Sequence, residues 1–162
     1  MSARHCLAFN GLMSTQVTKS LYNDVIMDHI RNARNFRTME DASRKAQGVN
    51  PLCGDSFTVY LRTESDRIAE ASFQCECCGI SMASASIMTE TVRGKSLGEA
   101  RSLFERFEKM LRETGAEAGG GSGEFAVLQL VREFPSRINC ALLGWKTLAA
   151  ALDGRDSASI ES

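Results

Sequence analysis

The feature that most constrains this chain is a change of hydrophobic period that falls on a cluster of thiols. Phe57, Val59 and Leu61 alternate with Thr58, Tyr60 and Arg62, and Ala69, Ala71 and Phe73 alternate with Glu70, Ser72 and Gln74. Apolar residues at every second position mark strands with one buried face. The polar run Thr63-Glu64-Ser65-Asp66 between them reads as a turn, so the two strands pair back as a hairpin. From Ile80 the spacing becomes helical, through Ala83, Ile87 and Val92, with Gly94 placed to stop it. Between the two regimes stands Phe73-Gln74-Cys75-Glu76-Cys77-Cys78-Gly79-Ile80-Ser81, which holds half of the six cysteines.

The remaining elements follow from the same signals. Ser20 reads as the cap of a first helix carrying Leu21, Val25, Ile26, Asp28, His29 and Ile30. A lone His on such a helix is read as surface or core edge, not as a ligand. Residues 32–48 are polar and read as irregular, and Asn50-Pro51-Leu52-Cys53-Gly54-Asp55 is dense in turn-formers. Ala83, Ser84, Ala85 and Ser86 are small enough to let their helix approach a neighbour closely. Ser96 caps an amphipathic helix with Leu97, Ala100, Phe104, Phe107 and Leu111 on one stripe. Residues 115–123 form a glycine-rich linker that lacks the Gly-Lys-Ser/Thr ending of a phosphate loop. A short helix is expected over 124–133. Phe134-Pro135-Ser136-Arg137 punctuates the chain, and a final helix carries Ile138, Ala141, Leu142, Trp145, Leu148, Ala149 and Leu152.

Composition narrows the function classes. A chain of 162 residues suits one domain, expected here over 20–152, with an unstructured arm at 1–19 and a frayed polar tail at 153–162. The arm has no acid before Asp24 and several Ser and Thr, a faint echo of a transit peptide; Cys6 and His5 within it are assigned no chemistry. A net charge of −1 gives no general attraction to nucleic acid or anionic membrane. No apolar run approaches a membrane span. Adjacent Cys77-Cys78 suits a disulfide framework poorly, which favours a reducing, cytoplasmic setting.

Three thiols and a carboxylate then stand at the ends of elements. Cys53 and Asp55 lie on the loop into the sheet, Cys78 at the junction of sheet and helix, and Cys140 in the first turn expected of the final helix. Helix N-termini favour negative charge, which gives Cys78 and Cys140 thiolate character. The four residues suit a tetrahedral zinc site, and equally an iron–sulfur unit with one oxygen ligand. Long separations carry no ligand signature of their own, so on spacing alone scattered core cysteines stay an equal alternative.

Several motifs in collinear order bear on that choice. Leu21-Tyr22…Val25-Ile26-Met27-Asp28-His29, Asn50-Pro51-Leu52-Cys53-Gly54-Asp55, Gly79-Ile80-Ser81-Met82-Ala83-Ser84-Ala85-Ser86…Met88-Thr89-Glu90…Gly94-Lys95 and Phe134-Pro135-Ser136-Arg137-Ile138-Asn139-Cys140-Ala141-Leu142…Trp145-Lys146 together resemble the U-type iron–sulfur assembly proteins, the SufU/IscU family related to the N-terminal part of NifU. The likeness runs from about Leu21 to Leu152. The long segment between Lys95 and Pro135, and Asn139 where IscU proteins carry His, resemble the SufU branch.

The resemblance implies an α+β fold, a small antiparallel three-stranded sheet packed against helices with a metal site at one end. It implies zinc ligands at Cys53, Asp55, Cys78 and Cys140, and Cys53 as acceptor of persulfide sulfur from a pyridoxal-phosphate cysteine desulfurase of the SufS type. A second implication is a scaffold on which a transient [2Fe–2S] cluster is built and passed to apo-protein acceptors. Two departures stand out. The family usually has glycines at Cys75 and Cys77, and a proline in place of Ala33. The extra thiols are open to reading as alternative ligands, a persulfide relay, a disulfide with a neighbour, or small packed side chains, with packing preferred for Cys75. A dithiol oxidoreductase built on Cys75, Cys77 and Cys78 is the third functional class, against which stands the absence of a Cys-x-x-Cys helix start.

Overall fold

In chain order the described elements are α1 (Asp24–Arg31), β1 (Arg44–Asn50), β2 (Asp55–Glu64), β3 (Arg67–Glu76), α2 (Gly79–Val92), α3 (Leu97–Arg112), a 3₁₀ segment (Leu128–Glu133), α4 (Pro135–Leu152) and β4 (Ser157–Ser159). The structure, a computed structural model, describes residues 23–52, 54–112 and 127–159. The arm at 1–19, Ser20, Cys53 and the linker at 115–123 lie outside the described residues.

The period-two pattern forms the strands it implies. β2 and β3 pair antiparallel, with Phe57 opposite Cys75 and Val59 opposite Phe73, and Ser65 takes φ 56° in the turn between them. Phe57, Val59, Leu61, Ile68, Ala71 and Phe73 are buried against the helices. The sheet has four strands, in the order β3-β2-β1-β4, and not the three expected. β1 lies in a stretch read as irregular, and pairs antiparallel with β2 along its whole length. Its inward positions are Ala46, Gly48 and Asn50, so it carries no large apolar residue to betray its period. The fourth strand comes from the polar tail, where residues 157–159 run parallel to β1.

The small inward face of β1 exists because α4 lies almost directly on it. A Cβ at Gly48 would sit 1.9 Å from Thr147 Oγ1, and one at Gly144 would touch Ala85 and Phe57 at 3.4 Å. Close approach also puts hydroxyls within reach of backbone. Ser84 Oγ donates to Ala141 O at 2.7 Å and accepts from the buried Trp145 indole at 3.2 Å. Trp145 stacks at 4.9 Å on Phe107 of α3, which completes the core. From β1, the Arg44 guanidinium reaches the carbonyls of Ala151 and Leu152, closing the C-terminus of α4.

Neither β3 nor β1 is left as an open edge. Residues 35–37 exchange backbone hydrogen bonds with Phe73 on the outer side of β3, and β4 covers β1. The observed cap of α1 is Asn23, whose side chain accepts from Ile26 N at 3.0 Å. Ser96 and Glu99 form a reciprocal capping box at the start of α3. Among the described residues no helix is long and apolar enough to cross a membrane.

Because the Gly48 contact leaves no room, Gly48→Ala should cost about 1–3 kcal/mol of stability, the usual range for overpacking. Thr147→Ala in the same chain should return part of that loss. Urea unfolding of the two single variants and the double variant checks this, and strictly additive losses would show that the contact does not decide the packing.

Candidate metal centre

The tight connection between β1 and β2 places the first candidate ligand. Asn50 and Asp55 are opposite each other at the ends of the two strands. Asn50 is buried, and its Oδ1 accepts from Leu52 N at 3.1 Å while its carbonyl accepts from Gly54 N at 2.8 Å. Gly54 has φ +79°, a left-handed conformation that a side chain would strain. This fixed turn sets Asp55 at the first position of β2. Cys53, within the same turn in sequence, lies outside the described residues.

Cys78 arrives at the same end of the sheet, because the end of β3 lies beside the start of β2, with Glu76 opposite Ser56. It follows β3 and is the N-cap of α2, with Sγ accepting from Ser81 N at 3.5 Å. Cys140 comes from α4. The helix begins at Pro135, so Cys140 stands in its second turn, not in the first as expected. Proline is suited to the first helical position, where its missing N–H goes unused. The run Phe134-Pro135-Ser136-Arg137 therefore opens the helix instead of preceding it. The dipole argument for a thiolate accordingly holds for Cys78 and weakens for buried Cys140.

A carboxylate oxygen of Asp55 and the sulfurs of Cys78 and Cys140 lie within 4.8 Å of one another. One residue that the sequence reading passed over holds them together. The hydroxyl of buried Ser81 lies 3.1 Å from Asp55 Oδ2, 2.9 Å from Cys140 O and 3.4 Å from Cys78 Sγ. A signal was available: Ser81 is three residues past the N-cap, where a side chain faces back toward the helix start.

The thiol of Cys78 is pulled from an ordinary value of 9.0 down to about 5. Hydrogen bonding from Cys140 is the largest cause; burial opposes it, and the Ser81 hydroxyl with the amides of Ser81 and Ile80 adds to it. A soft thiolate, a second thiol at hydrogen-bonding distance and a hard carboxylate are a donor set that fits zinc. The buried hydroxyl between them is the kind of outer contact that fixes ligand orientation.

The other candidates fall elsewhere. His29 is buried, with Nδ1 at 2.6 Å from Ser86 Oγ, and is not among the converging ligand atoms. Asn139 accepts from Arg112 of α3 at 3.0 Å. Cys75 and Cys77 are joined to each other in a disulfide, with Cα atoms 5.6 Å apart, and both pack in part against the core. Of the readings open to these thiols, the structure shows a disulfide, formed within one chain segment, and the side chains are half-buried where they touch the core.

Comparison with known proteins places this geometry. A family model described as the NifU-like N-terminal domain matches residues 21–155. The zinc-dependent sulfurtransferase SufU of Bacillus subtilis is 38% identical over 142 residues, 88% of this chain and 92% of that protein. The iron–sulfur cluster assembly scaffold protein IscU of Thermotoga maritima is 36% identical over 137 residues, 84% of this chain and 95% of that protein. The crystal structure of FiSufU from Fervidobacterium islandicum AW-1 aligns at a TM-score of 0.75 and 31% identity, covering 83% of this chain and 98% of that one.

The lowered thiol gives a pH dependence. A folded-state value below the unfolded one means that Cys78 adds stability in full above about pH 9, and that this is lost as pH falls through about 5. In metal-free protein, alkylation of Cys78 should stay fast at neutral pH and slow only near pH 5. Cys140→Ala should move that midpoint upward; an unchanged midpoint would remove Cys140 as the donor.

Proposed function

We propose, from the premise that this chain belongs to the NifU-like N-terminal domain family, that it is a zinc-binding sulfur acceptor in iron–sulfur cluster assembly. Its sulfur source in this reading is a pyridoxal-phosphate cysteine desulfurase of the SufS type, and its setting is the reducing cytoplasm. The observation that carries the reading is the convergence of Asp55, Cys78 and Cys140 at one end of the sheet. Cys53 supplies the fourth ligand and the acceptor thiol. Zinc bound by these four residues would keep their thiols in the thiolate form.

The residues divide the work. Cys78 and Cys140 are anchored on helices, and the Ser81 hydroxyl steadies Asp55. Cys53 sits on a connection whose neighbours are accessible: Leu52 is 69% exposed and Val49 is 47% exposed. Exposed apolar side chains beside a reactive position suit a protein partner better than a small substrate. The Cys53 thiolate attacks the outer sulfur of the desulfurase persulfide, the sulfur–sulfur bond breaks, and the desulfurase thiolate leaves. Cys53 then carries the sulfur as its own persulfide.

A second reading is favoured by the relative from Thermotoga maritima, whose name is that of a scaffold protein. The same four residues would then hold a transient [2Fe–2S] cluster for delivery to apo-proteins. Anaerobic reconstitution with iron and sulfide, set beside desulfurase turnover, separates the two.

For the leading reading, Cys53→Ala should stay folded and keep part of its zinc, yet fail to stimulate a SufS-type desulfurase. In the wild type, mass spectrometry after incubation with desulfurase and cysteine should find the added sulfur on the peptide containing Cys53. Turnover that persists in Cys53→Ala, with sulfur on the peptide carrying Cys75 to Cys78, would contradict the assignment.

A further inference from the structure

The Cys75–Cys77 disulfide is not placed where a disulfide stabilises a fold. It spans two positions in sequence, so it closes a very short loop and removes little freedom from the unfolded chain. β3 already holds Cys75 in register with Phe57. Both cysteines are half-buried, and accessible disulfides are the labile ones. Cys75 also lines an open depression of about 360 Å³ with Phe36, Ser56, Phe57, Thr58, Gln74 and Glu76. Cys77 lies beyond the end of β3 and directly precedes Cys78, a member of the converging ligand set. The bond spans the last two pairs of the β2–β3 ladder, Cys75 with Phe57 and Glu76 with Ser56, and the longer run of pairing lies behind it.

We propose that Cys75 and Cys77 are a redox pair that reduces sulfane sulfur to sulfide. The chemistry is complementary to sulfur acceptance. A persulfide carries its outer sulfur at the oxidation level of zero, and an iron–sulfur cluster requires sulfide, so two electrons must be supplied. The reduced pair holds two. Cys75, facing the open depression, attacks the outer sulfur of a persulfide R–S–S⁻; the sulfur–sulfur bond breaks and R–S⁻ leaves. Cys77 then attacks the Cys75 sulfur, the Cys75–Cys77 bond forms, and the transferred sulfur departs as hydrogen sulfide with the two thiol protons. One persulfide and two thiols become one thiolate, one sulfide and one disulfide, which is the bonded state seen here. A protein or small-molecule dithiol restores the pair by thiol–disulfide exchange.

The inference rests on the sulfur-acceptor reading for the biological source of the persulfide, but its test does not. Zinc-loaded protein is reduced, freed of reductant without oxygen, and given glutathione persulfide with no desulfurase present. The expected result is one equivalent of sulfide per chain, a Cys75–Cys77 disulfide on peptide mapping, and zinc content unchanged. Cys77→Ser should hold the sulfur on Cys75 and release no sulfide, and Cys75→Ser should do neither. Peptide mapping of the wild type decides the matter even if a variant folds poorly. Sulfide without a new disulfide, undiminished release in Cys75→Ser, or a native disulfide that resists millimolar dithiol would overturn the proposal. Zinc loss on disulfide formation would do so as well, since it would make these thiols ligands. Because the probe is a free persulfide, each outcome stands apart from whether a desulfurase uses Cys53.

Discussion

The close seating of α4 on β1 and α2 is the contact on which the rest of the molecule depends. It is made by residues with almost no side chain: Gly48 beneath Thr147, and Gly144 against Ala85 and Phe57. With backbones so near, the hydroxyls of Ser81 and Ser84 reach the carbonyls of Cys140 and Ala141 directly. A bulkier seam would hold α4 further out and draw Cys140 away from Cys78 and Asp55. The site is thus a consequence of packing, since three elements reach one point only because two of them nearly touch.

Electrostatics then turns proximity into chemistry. The start of α2 supplies amides without intrahelical partners, and Cys78 occupies the cap position, where its sulfur accepts from Ser81 N and a negative charge is favoured. Cys140 contributes less as a second charge than as a donor toward Cys78. Asp55 adds a hard oxygen to two soft sulfurs, and an oxygen ligand makes a centre more labile than thiolates alone. Lability is what a sulfur-handling site requires, because a ligand must leave for a thiol to act.

Much of this was legible in the chain itself. The switch of period at the cysteine cluster located β3, α2 and Cys78, and Ser96 announced α3. What stayed hidden was hidden for physical reasons. β1 has Ala46, Gly48 and Asn50 where a strand would ordinarily show large apolar residues, because a helix already fills that space. Pro135 reads as punctuation and acts as a helix start, which moved Cys140 by a turn. Residues 157–159 join the sheet by pairing with β1 and offer only the small Ala158 to the core, which leaves little trace in hydrophobic pattern. The role of Ser81 depends on Asp55 and Cys140, both distant in sequence, and only the folded chain brings them to it.

The central claim is a mixed sulfur and oxygen metal centre built by Cys53, Asp55, Cys78 and Cys140. X-ray absorption at the zinc edge on protein purified without oxygen tests it most directly. The account predicts three sulfurs at about 2.3 Å and one oxygen at about 2.0–2.2 Å. A shell of four sulfurs would bring one of the paired cysteines into the site in place of Asp55, and a shell of nitrogen and oxygen alone would place the metal elsewhere. Either result would contradict the account.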